Sequence, residues 1–249
     1  MRRAFESSLE GGLIDRVLQR VPVQKAARLR MGLRRHARPA RLRALRRHAP
    51  FSREFGYDRG TPIDRFYIEC FLSLHRDDVR GDVLEVKDSA YTKRFGQGVA
   101  RSEVLDLDAS NPNATIIADL TEADVIGDES FDCFILTQTL QHIYDTKSAV
   151  RHAHRILKRG GVLLVTVPCV SPIVDEVDLI DYWRFTPASC GRLFGEIFGA
   201  GSVEIQAEGN VVSSVGFFAG LAREELERSE LDSRDAPFAT LICVRAVKQ

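Results

Sequence analysis

Three carboxylates and one imidazole stand where a folded chain could put them to chemical use. Glu85 falls near the end of the apolar run "DVLEV" (82–86), Asp108 closes "SEVLDLD" (102–108), and Asp119 follows "ATII" (114–117). A carboxylate at a strand end is costly to bury without a partner. At the rim of a crevice it accepts hydrogen bonds from hydroxyls such as those of ribose, and Asp108 follows the first run by about 20 residues, the interval of such sites. Asp119 is equally placed to cap the turn at "LTEAD". His142, in "TQTLQHI", could take a proton from a hydroxyl or an amine; the other reading is that it caps a helix or bonds a neighbouring loop. Tyr182, Trp183 and Arg184, in "DYWRFTPAS" (181–189), offer an apolar wall with a guanidinium, suited to sugar rings or other planar acceptors. Trp183 and Phe185 suit core anchoring equally well.

The elements that must position these groups are short β-rich runs between helical stretches. "DVLEV", "SEVLDLD", "ATII", "FDCFILT" (131–137) and "GVLLVTVP" (161–168) are five strands, and "SVEIQAEG" (202–209) and "FATLICVRAV" (238–247) are two more. Near-continuous apolar runs indicate burial on both faces, as in a parallel sheet covered by helices. "DTKSAVRHAHRILKRGG" (145–161) places Ala149, Ala153, Ile156 and Leu157 on one helix face and ends in a glycine pair. With a further helix in "PASCGRLFGEIFG" (187–199), the pattern predicts a doubly wound α/β sheet of seven strands.

Charge divides the chain in two. Residues 1–50 hold 14 Lys and Arg against three acidic residues, whereas the remainder holds 21 against 32, so a +11 segment precedes a −11 one. We expect residues 1–60 to form a basic helical arm, with Leu13, Val17 and Val21 one turn apart and Pro22 and Pro39 as breaks, and residues 61–249 to form the α/β domain. The arm could rest on an acidic protein partner or an anionic membrane face, or pack its leucines on its own acidic domain; no aromatic residues interleave to stack on bases, which argues against nucleic acid. The chain has no transmembrane segment, since no run approaches the roughly 20 apolar residues of a span. Five scattered cysteines without a CxxC pair predict a reducing, cytoplasmic setting and no structural metal.

Taken in order, these motifs resemble the class I S-adenosylmethionine-dependent methyltransferases over about residues 80–247. "VLEV", "LDLD", "IIADL", "ESFDCFILTQTLQHI" and "AHRILKRGGVLLVTVP" resemble that family's first five strands, and "DYWRFTPASCGRLF" (181–194) looks like the segment following the fifth in small-molecule and sugar methyltransferases. The resemblance implies six parallel strands, an antiparallel last one, and S-adenosyl-L-methionine as cofactor. It implies that Asp108 takes the ribose, that Asp119 and the Leu120 amide take the adenine, and that Thr137 and Gln138 line the methionine portion or the acceptor. Glu85, Lys87, Asp88 and Ser89 fall in the first cofactor loop.

That loop is where the sequence departs from the family. A Gly-rich turn follows the first strand there, and glycine permits close approach and positive φ; here Lys87, Asp88, Ser89, Ala90 and Tyr91 stand instead. Gly96 and Gly98 also disfavour the usual long helix after that strand. The expected function is methyl transfer to a small-molecule or carbohydrate acceptor at oxygen, with a base at His142 optional. The alternative is a methyltransferase-like domain that binds without catalysing. A nicotinamide cofactor lacks its G-x-G-x-x-G.

Overall fold

Successive side chains of the central strands alternate between two apolar layers, and this dictates a sheet covered on both faces. Val83, Cys133 and Ile135 join one buried cluster while Leu84, Phe134 and Leu136 join the other. The computed structural model describes residues 48–174 and 179–249. The expected helices of the basic arm, with Leu13, Val17 and Val21, lie outside the described residues. Pro50–Gln249 form one compact unit, in which the Phe51 amide donates to the Ala219 carbonyl at 2.7 Å.

The seven strands are β1 (Gly81–Val86), β2 (Val99–Asp106), β3 (Ile116–Ile117), β4 (Phe131–Thr137), β5 (Leu157–Pro168), β6 (Val203–Glu208) and β7 (Leu241–Val247), arranged in one sheet in the order β3-β2-β1-β4-β5-β7-β6. All neighbours pair in parallel except β7, which runs antiparallel to both β5 and β6. This is the doubly wound, mostly parallel sheet with an antiparallel last strand that the sequence leads one to expect. Several boundaries differ from the sequence reading, and two of them matter to the site and the sheet. β2 stops at Asp106, because its partner β3 has only two residues and the last pair is Asp106 with Ile117. The "LKRGG" stretch is part of β5 and not a helix end, since Leu157 pairs with Phe131 and the register then shifts before Val162 pairs with Cys133.

Six helices surround the sheet among the described residues. On one face, α1 (Ile63–Leu74) buries Ile63, Phe66, Tyr67 and Phe71. After β1 comes α2 (Ala90–Phe95), a short helix that ends at Gly96. On the other face lie α3 (Thr146–Ile156) and α4 (Pro187–Phe198), each started by a side-chain cap: Asp145 accepts from the Ser148 amide, and Thr186 accepts from the Ser189 amide. α5 (Val211–Phe218) and α6 (Arg228–Asp232) complete the set. Among the described residues no helix is long and apolar enough to cross a membrane.

Candidate active site

Strand order reverses between the parallel neighbours β1 and β4, whose connections leave toward opposite faces of the sheet, and such a switch point opens a crevice at the carboxyl ends of the strands. A cavity of about 910 Å³ lies there. Its floor comes from the ends of β1, β2 and β4 and from the Ala118–Thr121 turn after β3; its walls come from the Tyr57–Arg65 region, from Gln141–Asp145, and from Ser171, Val174 and Leu179–Tyr182. Seven carboxylates line it against two permanent cations, Arg65 and Lys87. The cavity therefore favours a cationic ligand.

Glu85 lines the cavity and holds the first loop together. It is 2% exposed, its Oε1 accepts from the Tyr91 amide at 3.0 Å, and its Oε2 accepts from the Thr92 amide and hydroxyl, each at 2.7 Å. Burial pushes its carboxyl up, while the bonds from Thr92 and Tyr91 pull the other way. These two amides belong to the first turn of α2, which otherwise has no intrahelical partners for them.

Without glycine, the loop takes a left-handed residue anyway. Lys87 has φ 68°, its amide donates to the Leu105 carbonyl at 3.0 Å, and Asp88 caps the Ala90 amide through Oδ1 at 2.7 Å. Lys87 and Asp88 line the cavity, whereas Ser89 stands at the start of α2 outside it. Tyr91, which threatened to block the loop, accepts a hydrogen bond at its hydroxyl from Arg65 Nη1 at 2.8 Å.

The carboxylate at the end of β2 is Asp106 and not Asp108. Asp106 lines the cavity; Asp108, two residues beyond the strand, does not, and its Oδ1 accepts from the Ser110 amide at 2.8 Å within its own turn. The Ser110 bonds hold the Asp108 carboxyl below the ordinary range. The expectation for Asp108 is corrected because the strand ends earlier than its apolar alternation continues. Asp119 caps the turn that follows it. Oδ1 accepts from the Thr121 amide at 2.8 Å and hydroxyl at 2.7 Å, and the residue lines the cavity beside buried Leu120.

At the end of β4, Thr137 is 9% exposed and Gln138 has φ 48°. Gln138 Nε2 and Gln141 Oε1 are both buried without a hydrogen-bond partner in the structure. Orphaned buried polar atoms at a cavity wall are costly unless a ligand meets them. His142 binds its neighbours through both ring nitrogens: Nδ1 lies 3.0 Å from the Ile180 carbonyl and Nε2 lies 3.2 Å from Gln141 Nε2. A carbonyl only accepts, so Nδ1 carries the proton and Nε2 accepts from the amide. His142 tethers the roof of the cavity.

Tyr182 lines the cavity, with its amide bonded to the Gln141 carbonyl at 2.8 Å, but Trp183 and Arg184 do not line it. Trp183 Nε1 donates to the Ile143 carbonyl at 3.1 Å, and its ring lies 5.6 Å from that of Tyr144. Arg184 forks onto Asp181 at 2.5 and 2.8 Å and reaches the Pro172 carbonyl at 2.8 Å. Its guanidinium is thus spent on the roof segment and not offered to an acceptor. Burial pushes Asp181 up, yet the bonds from Arg184 and the Val174 amide outweigh it and leave the carboxyl below its ordinary value.

Comparison with known proteins bears on this arrangement directly. Residues 89–165, from the start of α2 into β5, match the family model of a methyltransferase domain. That stretch of the chain is similar to a methyltransferase domain. No curated protein matches its sequence. Among solved structures, a protein from Listeria monocytogenes assigned as an S-adenosylmethionine dependent methyltransferase superposes with a TM-score of 0.50 at 10% identity, over 75% of this chain and 97% of that one. Another from Galdieria sulphuraria, assigned as a sarcosine dimethylglycine methyltransferase, gives 0.50 at 15% identity over 74% and 84%. These superpositions carry the fold.

The cofactor of such a domain is S-adenosylmethionine, and the residues present fit it. A strand-end carboxylate at Asp106 suits ribose hydroxyls, Asp119 beside Leu120 suits an adenine edge, and Gln138 Nε2 is an unmet donor on the wall between them and the roof. α1, which contributes Asp64 and Arg65 to the cavity, was not singled out from the sequence. Its apolar spacing at Ile63, Phe66, Tyr67 and Phe71 after Pro62 was the available signal.

Proposed function

We propose that the chain is an active methyltransferase that alkylates a hydroxyl oxygen of a small-molecule or carbohydrate acceptor. The observation that carries this reading is the make-up of the cavity. At about 910 Å³ it stands at the top of the roughly 300–1,000 Å³ range of single-ligand sites. Strand ends suited to a nucleoside line it, and so do the aromatic side chains of Tyr57, Phe217, Tyr144 and Tyr182, which suit an acceptor.

When bound, the cofactor supplies an electrophilic methyl group on a sulfonium. The protein's task is then to bind, orient and exclude water. Asp106 accepts from the ribose, Asp119 and Leu120 fix the adenine, and Gln138 donates from the β4 end. His142 holds Ile180, and Arg184 holds Asp181 and Pro172, so the roof lies over the acceptor. Positioning a nucleophile against a reactive methyl supplies much of the barrier lowering in such transfers. With both nitrogens of His142 engaged, a base at that position is dispensable. The +11 charge of residues 1–50 supports docking of the arm on an acidic protein partner, and five unpaired cysteines suit a reducing cytoplasm.

The test is transfer of label from methyl-tritiated S-adenosylmethionine to a panel of monosaccharides, phenols and small alcohols. Label in one acceptor class supports the reading. Intact binding of S-adenosylhomocysteine with no transfer to any acceptor would support a binding module instead.

A further inference from the structure

Asp64 is a buried carboxylate that lines the cavity and, among the described residues, has no ion-pair partner. It is 8% exposed, lines the cavity, and receives one hydrogen bond, at Oδ1, from the Arg65 amide at 2.8 Å. Among the described residues no lysine, arginine or histidine nitrogen lies within ion-pair distance of it. The neighbouring Arg65 turns its guanidinium elsewhere: Nε donates to the Tyr57 hydroxyl at 3.0 Å and Nη1 to the Tyr91 hydroxyl at 2.8 Å. Among the described residues Nη2 has no hydrogen-bond partner. Burial raises the Asp64 carboxyl above its ordinary value, with Arg65 opposing. A buried carboxylate opposed only by the charge of a neighbouring, partly used guanidinium that does not touch it is expensive to keep unless something completes both.

The position of the pair indicates what completes it. The nucleoside-type groups Asp106 and Asp119 sit at the β2 and β3 ends. Arg65 lies against the β1 loop through Tyr91, whose own amide is held by Glu85 at 3.0 Å. A cofactor with its ribose at Asp106 therefore extends its other end toward the β1 loop and α1. That end is an α-amino acid, carrying one ammonium and one carboxylate. The β1 loop, with Lys87 in place of glycine, has side chains where close backbone approach to those charges would occur.

We propose that Asp64 and Arg65 clamp the amino-acid end of the cofactor, Asp64 receiving the ammonium and Arg65 Nη2 the carboxylate. The clamp rests on the reading of the cavity as a cofactor site. It gives a function to two α1 residues and accounts for how the domain dispenses with its glycines. The chemistry is that of a zwitterion bound by a carboxylate and a guanidinium, each largely withdrawn from water, where charge-assisted bonds are strong.

The experiment is calorimetry of the full chain with two probes, S-adenosylhomocysteine and 5′-methylthioadenosine, which share the adenosine and thioether but differ in the amino-acid end. The wild type should bind S-adenosylhomocysteine more tightly by roughly tenfold or more. Asp64→Asn and Arg65→Gln should each erode that preference while leaving methylthioadenosine binding unchanged. Equal affinity of the wild type for both probes would overturn the clamp without any variant. Variants that weaken both probes alike, or neither, would also overturn it, the latter leaving an acceptor amine as the partner of Asp64. Failure of the wild type to bind either probe would instead sink the cofactor reading itself.

Discussion

The side-chain amide of Asn111 donates to Asp106 Oδ2 at 2.6 Å and, through the same nitrogen, to the Lys87 carbonyl at 2.7 Å. One residue thus fixes the strand-end carboxylate and ties it to the glycine-free loop. Hydrogen bonds to charged groups contribute about 1.5–3 kcal/mol. Asn111→Ala should therefore weaken S-adenosylhomocysteine binding about tenfold, while the melting temperature changes little, because Asn111 is not in the core. Calorimetry together with a melting curve checks both halves of that statement.

Lys87 adopts a conformation that costs a non-glycine residue roughly 1–2 kcal/mol. Glycine at this position would relieve that cost against an entropic loss of roughly 0.5–1 kcal/mol. Lys87→Gly should consequently be neutral to slightly stabilising, and Lys87→Val, β-branched and poorly suited to positive φ, should be clearly destabilising. Urea midpoints of the two variants would show the opposite signs.

The raised carboxyl of Asp64 links stability to pH. Its folded-state value lies above its unfolded one, so the folded state binds the extra proton between them and stability from this group is lost as pH rises through that window. Asp64→Asn has no such proton. The variant should gain stability relative to the wild type on going from pH 4 to pH 8, measured as a difference in urea midpoint at each pH. A constant difference would mean that Asp64 titrates normally.

Arg184 should matter to the roof and not to an acceptor directly. The Asp181 side chain is 2% exposed, and removing its partner leaves a buried charge unpaired, a loss of about 3–5 kcal/mol. Arg184→Ala should lower the melting temperature and weaken cofactor binding secondarily, through Ser171, Val174 and Tyr182. Arg184→Lys, which keeps the charge but loses the two-pronged geometry, should recover part of the stability.

The sheet was legible because its strands are apolar on both faces, and runs such as "FDCFILT" leave little else for the chain to do. What escaped was set by tertiary pairing. The acidic end of β2 reads as Asp108 by alternation, but β3 offers partners for only two residues, so the chain turns after Asp106. Arg184 looks like an acceptor ligand until Asp181, three residues earlier, is found buried beneath it. Asp64 and Arg65 lie on α1, before the sheet begins at Gly81, and only the packing of α1 on the β1 side brings them to the cavity.

The most direct test of the account is calorimetric titration of S-adenosylhomocysteine into the wild type, Asp106→Ala and Asp108→Ala. The account predicts micromolar binding by the wild type, a loss of roughly tenfold or more in Asp106→Ala, and near wild-type affinity in Asp108→Ala. No heat with the wild type, with no rise in melting temperature at millimolar ligand, or an Asp106→Ala variant that binds as well as the wild type, would contradict it.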